Sequence, residues 1–131
     1  MDKKIIIVIA LVIFAGFLFW GFQTGFFTKS SWLKGQIAIP EGIILFYGDG
    51  CPHCANVDNY ISENSIKDKI IFSNLEVWND ENNQAILAQI VKKCGIDATQ
   101  VGIPFLFDGV DKCYMGDTDV INYFKAKANI Q

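Results

Sequence analysis

The chain has 131 residues, 51% hydrophobic and 19% charged, with 11 basic residues against 14 acidic ones. That length is the size of one globular domain, and so much apolar side chain with so little charge excludes a disordered polymer. A net charge of −3, with every basic residue a Lys, argues against a nucleic-acid partner, because phosphate binding needs clustered cations and Arg supplies the bidentate grip.

The mean hydropathy of +0.27 owes much to one segment near the start. Residues 5–22 (IIIVIALVIFAGFLFWGF) are an unbroken apolar run. At about 1.5 Å per residue it nearly covers the roughly 30 Å hydrocarbon core of a bilayer. Lys3 and Lys4 precede it, Gln23 and Thr24 end it, and Trp20, Phe26, Phe27 and Trp32 suit the headgroup level. The run predicts one N-terminal transmembrane helix, an anchor over residues 1–27 that sits in the lipid bilayer through residues 5–22. A cleaved signal peptide is the competing reading. Its apolar core is usually about 7–15 residues followed by a small-x-small site, whereas this run is longer and FWGFQTGFFTKS offers no such site. A buried core helix fits less well, since no face of the run is polar. With Lys29 and Lys34 beyond the run, the charge bias is slight. The expected localisation is a single-pass membrane protein whose remaining chain lies outside the cytoplasm.

Residues 28–41, with Ser30, Ser31, Gly35 and Pro40, read as a tether that contains at most a short strand at 37–39. Residues 42–131 suffice for a core of their own. The run IILFY at 43–47 reads as a central strand buried on both faces. A helix follows over 52–64, with Val57, Tyr60 and Ile61 at helical spacing, then a strand over 70–77 (IIFSNLEV). Asn79 or Asp80 caps a second helix carrying Ile86, Leu87, Ile90 and Val91, which ends at Lys92, Lys93 and Gly95. Residues 103–107 and 112–115 form a hairpin around Asp108-Gly109, and Asp117 or Thr118 caps a last helix bearing Val120, Ile121 and Phe124. The order β-α-β-α-β-β-α predicts one mixed α/β sheet with helices on both faces.

The chemistry is concentrated in Cys51-Pro52-His53-Cys54, where the first strand gives way to the first helix. Pro52 suits the first helical turn, where its missing N–H is not needed. Cys51 then meets unpaired N–H groups and the positive end of the helix dipole, which favour a thiolate over a thiol. Cys54 lies one turn later on the same face, within reach for a disulfide, and His53 adds a possible cation near the sulfur. On this reading Cys51 is the exposed, reactive thiol and Cys54 the less exposed, protonated one. A C-x-x-C pair in this context signals thiol–disulfide exchange. Half of a zinc site and a purely structural pair are the alternatives. Zinc needs four ligands, and the chain offers one His and two remote cysteines. No cofactor and no metal is expected.

The segments FYGDGCPHC, VGIPFLFDG and YMGD together resemble the thioredoxin-fold superfamily over residues 42–131. The Cys-Pro-His-Cys tetrapeptide is similar to that of DsbA-type disulfide oxidants, and the compact element order is closer to glutaredoxin. The resemblance implies that Cys51 is the attacking nucleophile and that Cys54 resolves the mixed disulfide. It also implies that Pro104 is a cis-proline facing the motif, with the backbone before it free to pair with an extended substrate. The candidate site is therefore Cys51, Pro52, His53, Cys54 and Pro104. Departures are also plain. No inserted helical domain fits, the first strand carries no acidic residue, and Gly48 stands where glutaredoxins often have a glutathione-binding Lys.

Cys94 and Cys113 either form a second disulfide at the end of the domain opposite the motif, as suits an oxidising compartment, or are two small buried hydrophobes. The functional expectation is a membrane-tethered thiol–disulfide oxidoreductase acting on cysteine-containing extracytoplasmic proteins, with a possible membrane redox partner. The Pro-His dipeptide and a stabilised thiolate favour an oxidant or isomerase over a reductase. The alternative is a module that holds and delivers a soft metal such as copper through the same pair.

Overall fold

The computed structural model describes residues 3–5, 12–14, 16 and 37–130. The chain divides into two compact units, Met1–Gln36 and Ile37–Gln131. In the first, the described residues are helical, and the side chains of Ile5, Val12, Ile13 and Phe14 are exposed. Most of the expected span at 5–22 lies outside the described residues, and among the described ones no helix is long and apolar enough to cross a membrane.

In the second unit, β-branched and aromatic residues build strand β1, Ile43–Tyr47, which is buried over its first four positions. It is a central strand in the order β2-β1-β3-β4, where β2 is Phe72–Glu76, β3 Phe105–Phe107 and β4 Cys113–Met115. β1 and β2 are parallel, with Ile43 opposite Phe72 and Tyr47 opposite Glu76. Parallel neighbours need a crossover, and helix α1, Pro52–Glu63, supplies it. β3 is antiparallel to β1, and β4 to β3.

Side chains alternate across the strands, so two cores form. Leu45 and Leu106 face Val57 and Ile61 of α1 and Val120 and Phe124 of helix α4, Asp117–Lys127. Ile44, Phe46, Phe105 and Phe107 face Ile86, Ile90 and Val91 of helix α3, Glu81–Lys93. (Helix α2 is the short Ile66–Lys69.) Helices thus cover both faces of a mixed four-stranded sheet.

Several boundaries differ from the sequence expectation for local reasons. Residues 37–39 are not a strand, although Ile37 packs on the second core. Helix α2 was not foreseen; Ser65 enters it in the left-handed region at φ 50°, and Ile66 drops fully into the core. β2 begins at Phe72, because Ile70 tucks inward while Ile71 is 95% exposed. β3 begins at Phe105, just beyond the Pro104 that cannot donate to a ladder. Asp80 rather than Asn79 caps α3, accepting from the N–H groups of Asn82 and Asn83 at 2.9 and 3.0 Å. Gly116, at φ 88°, starts α4 in place of Asp117 or Thr118. The hairpin loop forms as expected: the Asp108 carboxylate accepts from the N–H groups of Val110, Asp111 and Lys112. Gly109 (φ 89°) lies so near the Gly42 backbone that a Cβ would meet it at 2.7 Å.

Cys94 and Cys113 are joined in a disulfide with Cα atoms 6.2 Å apart, closing a separation of 19 residues. Cys113 pairs with Phe107, which pairs with Ile44, so the bond lies at the end of the sheet away from Tyr47. A loop of this length restricts the unfolded chain by about 3 kcal/mol. Changing both cysteines to Ser is expected to lower stability by about that amount. Urea unfolding of the two proteins checks it, with a lower midpoint expected and a steeper slope, because the unfolded chain without the cross-link exposes more surface.

Candidate active site

β1 delivers the chain at Tyr47 into Gly48-Asp49-Gly50, and Cys51 follows as the N-cap of α1 with Pro52 in the first turn. The Cys51 N–H donates to the Gly48 carbonyl at 3.1 Å, which closes the turn. The Cys51 sulfur then accepts from the Cys54 N–H at 3.3 Å and from the Cys54 S–H at 2.7 Å. Both bonds aim hydrogen at one sulfur, an arrangement that stabilises negative charge on that atom. The Ile103 carbonyl lies 3.9 Å from the same sulfur. Its peptide bond to Pro104 is cis, the isomer the resemblance implies, and Pro104 is buried at the start of β3. The Gly116 N–H donates to the Pro104 carbonyl at 2.9 Å and ties the start of α4 to this loop.

One expectation is corrected. Cys51 is not exposed: it is 7% accessible and Cys54 4%, so both thiols are buried. The sulfur of Cys51 turns in toward its Cys54 and Ile103 partners. Both thiols line a cleft of about 220 Å³ with Tyr47, Asp49 and Asp58. Burial, then the hydrogen bond to Cys51, pushes the Cys54 thiol up to about 12, with the charge of Asp58 adding to the rise. Cys54 therefore holds its proton at neutral pH. Cys51 and Cys54 are free thiols among the described residues.

His53 is turned outward, its side chain 69% exposed, and its Nδ1 is 3.1 Å from Asp117 Oδ2. Asn56 Nδ2 donates to the same oxygen at 2.7 Å, and the Thr118 N–H donates to Asp117 Oδ1. These bonds, that of Asn56 first and that of His53 next, lower the Asp117 carboxyl from its ordinary 3.8 to about 2. A depressed carboxylate stabilises the fold fully above its unfolded value, and the contribution is lost as pH falls through the folded one. Asp117→Asn is expected to remove that part of the stability loss between pH 4 and 2 that the wild type shows. Acid titrations of the two proteins, followed by circular dichroism, check it.

Sequence reasoning missed the groups that arrange this end of the sheet. Glu76 closes β2, and its carboxylate accepts from the N–H groups of Trp78 and Asn79, both at 2.8 Å, and of Asp49 at 3.3 Å. It thereby ties the loop before the motif to the loop that carries Trp78. The Trp78 ring and Ile103 lie against Gly48 so closely that a Cβ there would run into both. No side chain fits at Gly48 unless Trp78 and Ile103 both move. Among the described residues, no three His, Cys, Asp or Glu side chains lie together so as to hold a metal ion.

The fold is a mixed four-stranded α/β sheet with helices on both faces, and a C-x-x-C pair stands at the head of its first helix. No family model and no curated protein matches the chain. It is similar to a wheat glutaredoxin, at 17% identity and a TM-score of 0.47, over 70% of this chain and 78% of that one. It is also similar to a buckwheat glutaredoxin solved as a glutathione complex, at 17% identity and a TM-score of 0.48, over 72% of this chain and 78% of that one.

Proposed function

We propose that the chain is a membrane-tethered thiol–disulfide oxidoreductase that exchanges disulfides with cysteines of extracytoplasmic proteins. The observation that supports it best is the thiol pair itself, two sulfurs 2.7 Å apart at a helix start and beside the Ile103 carbonyl. In the oxidising direction, a substrate thiolate attacks Cys51 of a Cys51–Cys54 disulfide. The substrate–Cys51 bond forms, the Cys51–Cys54 bond breaks, and Cys54 leaves with the electron pair and takes a proton. A second substrate thiolate then attacks the substrate sulfur and expels Cys51, leaving the substrate oxidised and the pair reduced by two electrons. The reverse sequence reduces a substrate disulfide.

The oxidant or isomerase direction is favoured because the Cys54 S–H bond to the Cys51 sulfur exists only in the reduced pair, and stabilising the reduced form makes the disulfide more oxidising. The tether reading rests on the apolar run at 5–22 and on the exposed apolar side chains of Ile5, Val12, Ile13 and Phe14. The extracytoplasmic side is favoured by the Cys94–Cys113 bond, since such disulfides persist where the surroundings oxidise. An impermeant thiol reagent applied to intact, reduced cells is expected to label the protein, and labelling only after lysis would overturn the orientation. For the activity, the full chain in detergent, oxidised beforehand, is expected to close a disulfide in a two-cysteine peptide. Tight copper(I) binding without any exchange would replace this reading with metal delivery.

A further inference from the structure

We infer that the pole of the domain opposite the thiols is a docking surface for an anionic lipid bilayer, and that docking turns Cys51 and Cys54 away from the membrane. The inference rests on the tether reading of residues 5–22.

Strand direction fixes the two poles. β1 runs from Ile43 to Tyr47 and delivers the motif at its end, while Phe72, Phe107 and Cys113 lie with Ile43 and Ile44 at the other. α1 starts at the motif and α4 starts where Asp117 meets His53, so both finish at the far pole, and α3 finishes there at the Cys94 bonded to Cys113. The charges sort the same way. α2 and the last turns of α3 and α4 supply Lys67, Lys69, Lys92, Lys93, Lys125 and Lys127 to the far pole, and Lys112 stands there on the hairpin loop. These are all the lysines of residues 37–131. The motif's pole has Asp49, Glu76, Asp80, Glu81, Asp117 and Asp119 instead. Far-pole carboxylates are fewer than the lysines: Glu41, Glu63, Asp68, Asp111 and Asp108, the last already accepting three N–H bonds. Among the described residues no lysine is ion-paired.

Lysines at helix ends also serve the helix dipole, but the dipole does not account for the apolar side chains that protrude among them. Ile71 is 95% exposed at the head of β2, and Val110 is 68% exposed on the hairpin loop. The order β2-β1-β3 sets them on either side of Gly42, whose backbone Gly109 approaches. Protruding apolar residues ringed by lysines suit the headgroup layer, where the apolar groups enter and the ammonium groups meet phosphate. The same negative charge repels the acidic motif pole, which sets the orientation. Residues 23–36 reach at most about 50 Å when fully extended, and the chain enters the domain through Glu41 and Gly42 at the far pole. A tether of that length makes even a weak attraction effective.

The test uses the full chain in lipid nanodiscs of phosphatidylcholine alone or mixed with phosphatidylglycerol. Cys51 and Cys54 are changed to Ser, and a polarity-sensitive fluorophore is placed on Val110→Cys or, at the motif's pole, on Asn79→Cys. The expected result is a blue-shifted and brighter signal at position 110 in the phosphatidylglycerol discs, reversed by high salt, with no change at position 79. Lys67→Gln, Lys92→Gln and Lys127→Gln together should return position 110 to its phosphatidylcholine signal, since each lysine at an anionic surface contributes about fivefold. Ile71→Ser, at a position open to solvent, should weaken the signal. Equal signals in the two kinds of disc, or a rise that neither the lysine variant nor Ile71→Ser lowers, overturns the docking surface while the tether stands. A rise in lipid-free detergent that grows with protein concentration shows a second copy of the chain on this pole and also overturns it. A chain that does not stay with the discs overturns the tether, and this inference with it.

Discussion

Changing Cys54 to Ser is expected to leave the protein covalently caught on its substrates, and changing Cys51 to Ser to abolish exchange. Cys51 carries the sulfur at the helix start, onto which the Cys54 N–H and S–H are both directed. It is therefore the atom on which charge is stabilised when a disulfide opens. Cys54 is buried and holds its proton, so it acts second, once a mixed disulfide exists. Without its thiol, resolution has no intramolecular nucleophile, and adducts sensitive to reducing agent should accumulate with the C54S variant alone. When the wild type reduces a substrate disulfide, the resolving step needs the Cys54 thiolate. Below a raised titration the thiolate fraction climbs about tenfold per pH unit. Resolution should therefore quicken from pH 7 to 9. Once Cys51 is bonded to substrate its hydrogen bond to Cys54 is lost, but burial and the Asp58 charge still oppose ionisation. Non-reducing gels and stopped-flow quenching across that range check both statements.

The largest single loss of stability is expected from Phe124→Ala, about 3–5 kcal/mol. Phe124 is fully buried, its ring 5.1 Å from that of Phe72 and 5.8 Å from that of Tyr123. It is the main apolar anchor of α4, alongside Val120. Removing it leaves a cavity between that helix and the sheet, and a loss of this size is a large share of the roughly 5–15 kcal/mol that holds a domain folded. The same helix begins at Asp117, the partner of His53 and Asn56, so loosening it should also free His53. Chemical unfolding gives the first effect, and the His53 ring signals by NMR give the second. Val110→Ser, at an exposed loop position, should change stability little.

What was legible in the sequence is what short-range chemistry dictates. IILFY can be little but a buried strand, C-P-H-C after it places two sulfurs one helical turn apart, and the cysteine spacing leaves no room for a second ligand pair. Alternation and helical spacing located each major element, and Asp108-Gly109 marked the hairpin. What was not legible comes from contacts between distant segments. His53 and Asp117 are 64 positions apart and meet because α4 packs beside α1. The burial of Cys51 depends on Ile103, 52 positions away. The closure of Gly48 depends on where the loop after β2 lays the Trp78 ring. Helix α2 escaped notice because four residues, entered through a left-handed Ser65, leave no periodic trace. The pairing of Cys94 with Cys113 was open for a similar reason, since it depends on α3 and β4 reaching one end of the sheet.

The central claim is that Cys51 and Cys54 form a reversible two-electron couple that passes its disulfide to other thiols. The most direct measurement equilibrates the full chain in a series of reduced and oxidised glutathione buffers, traps free thiols with an alkylating agent, and weighs the products. The expected result is a single cooperative transition in which Cys51 and Cys54 gain or lose alkylation together, while Cys94 and Cys113 stay bonded at the midpoint. A pair that stays reduced in every buffer, or alkylates independently at the two sulfurs, would contradict it.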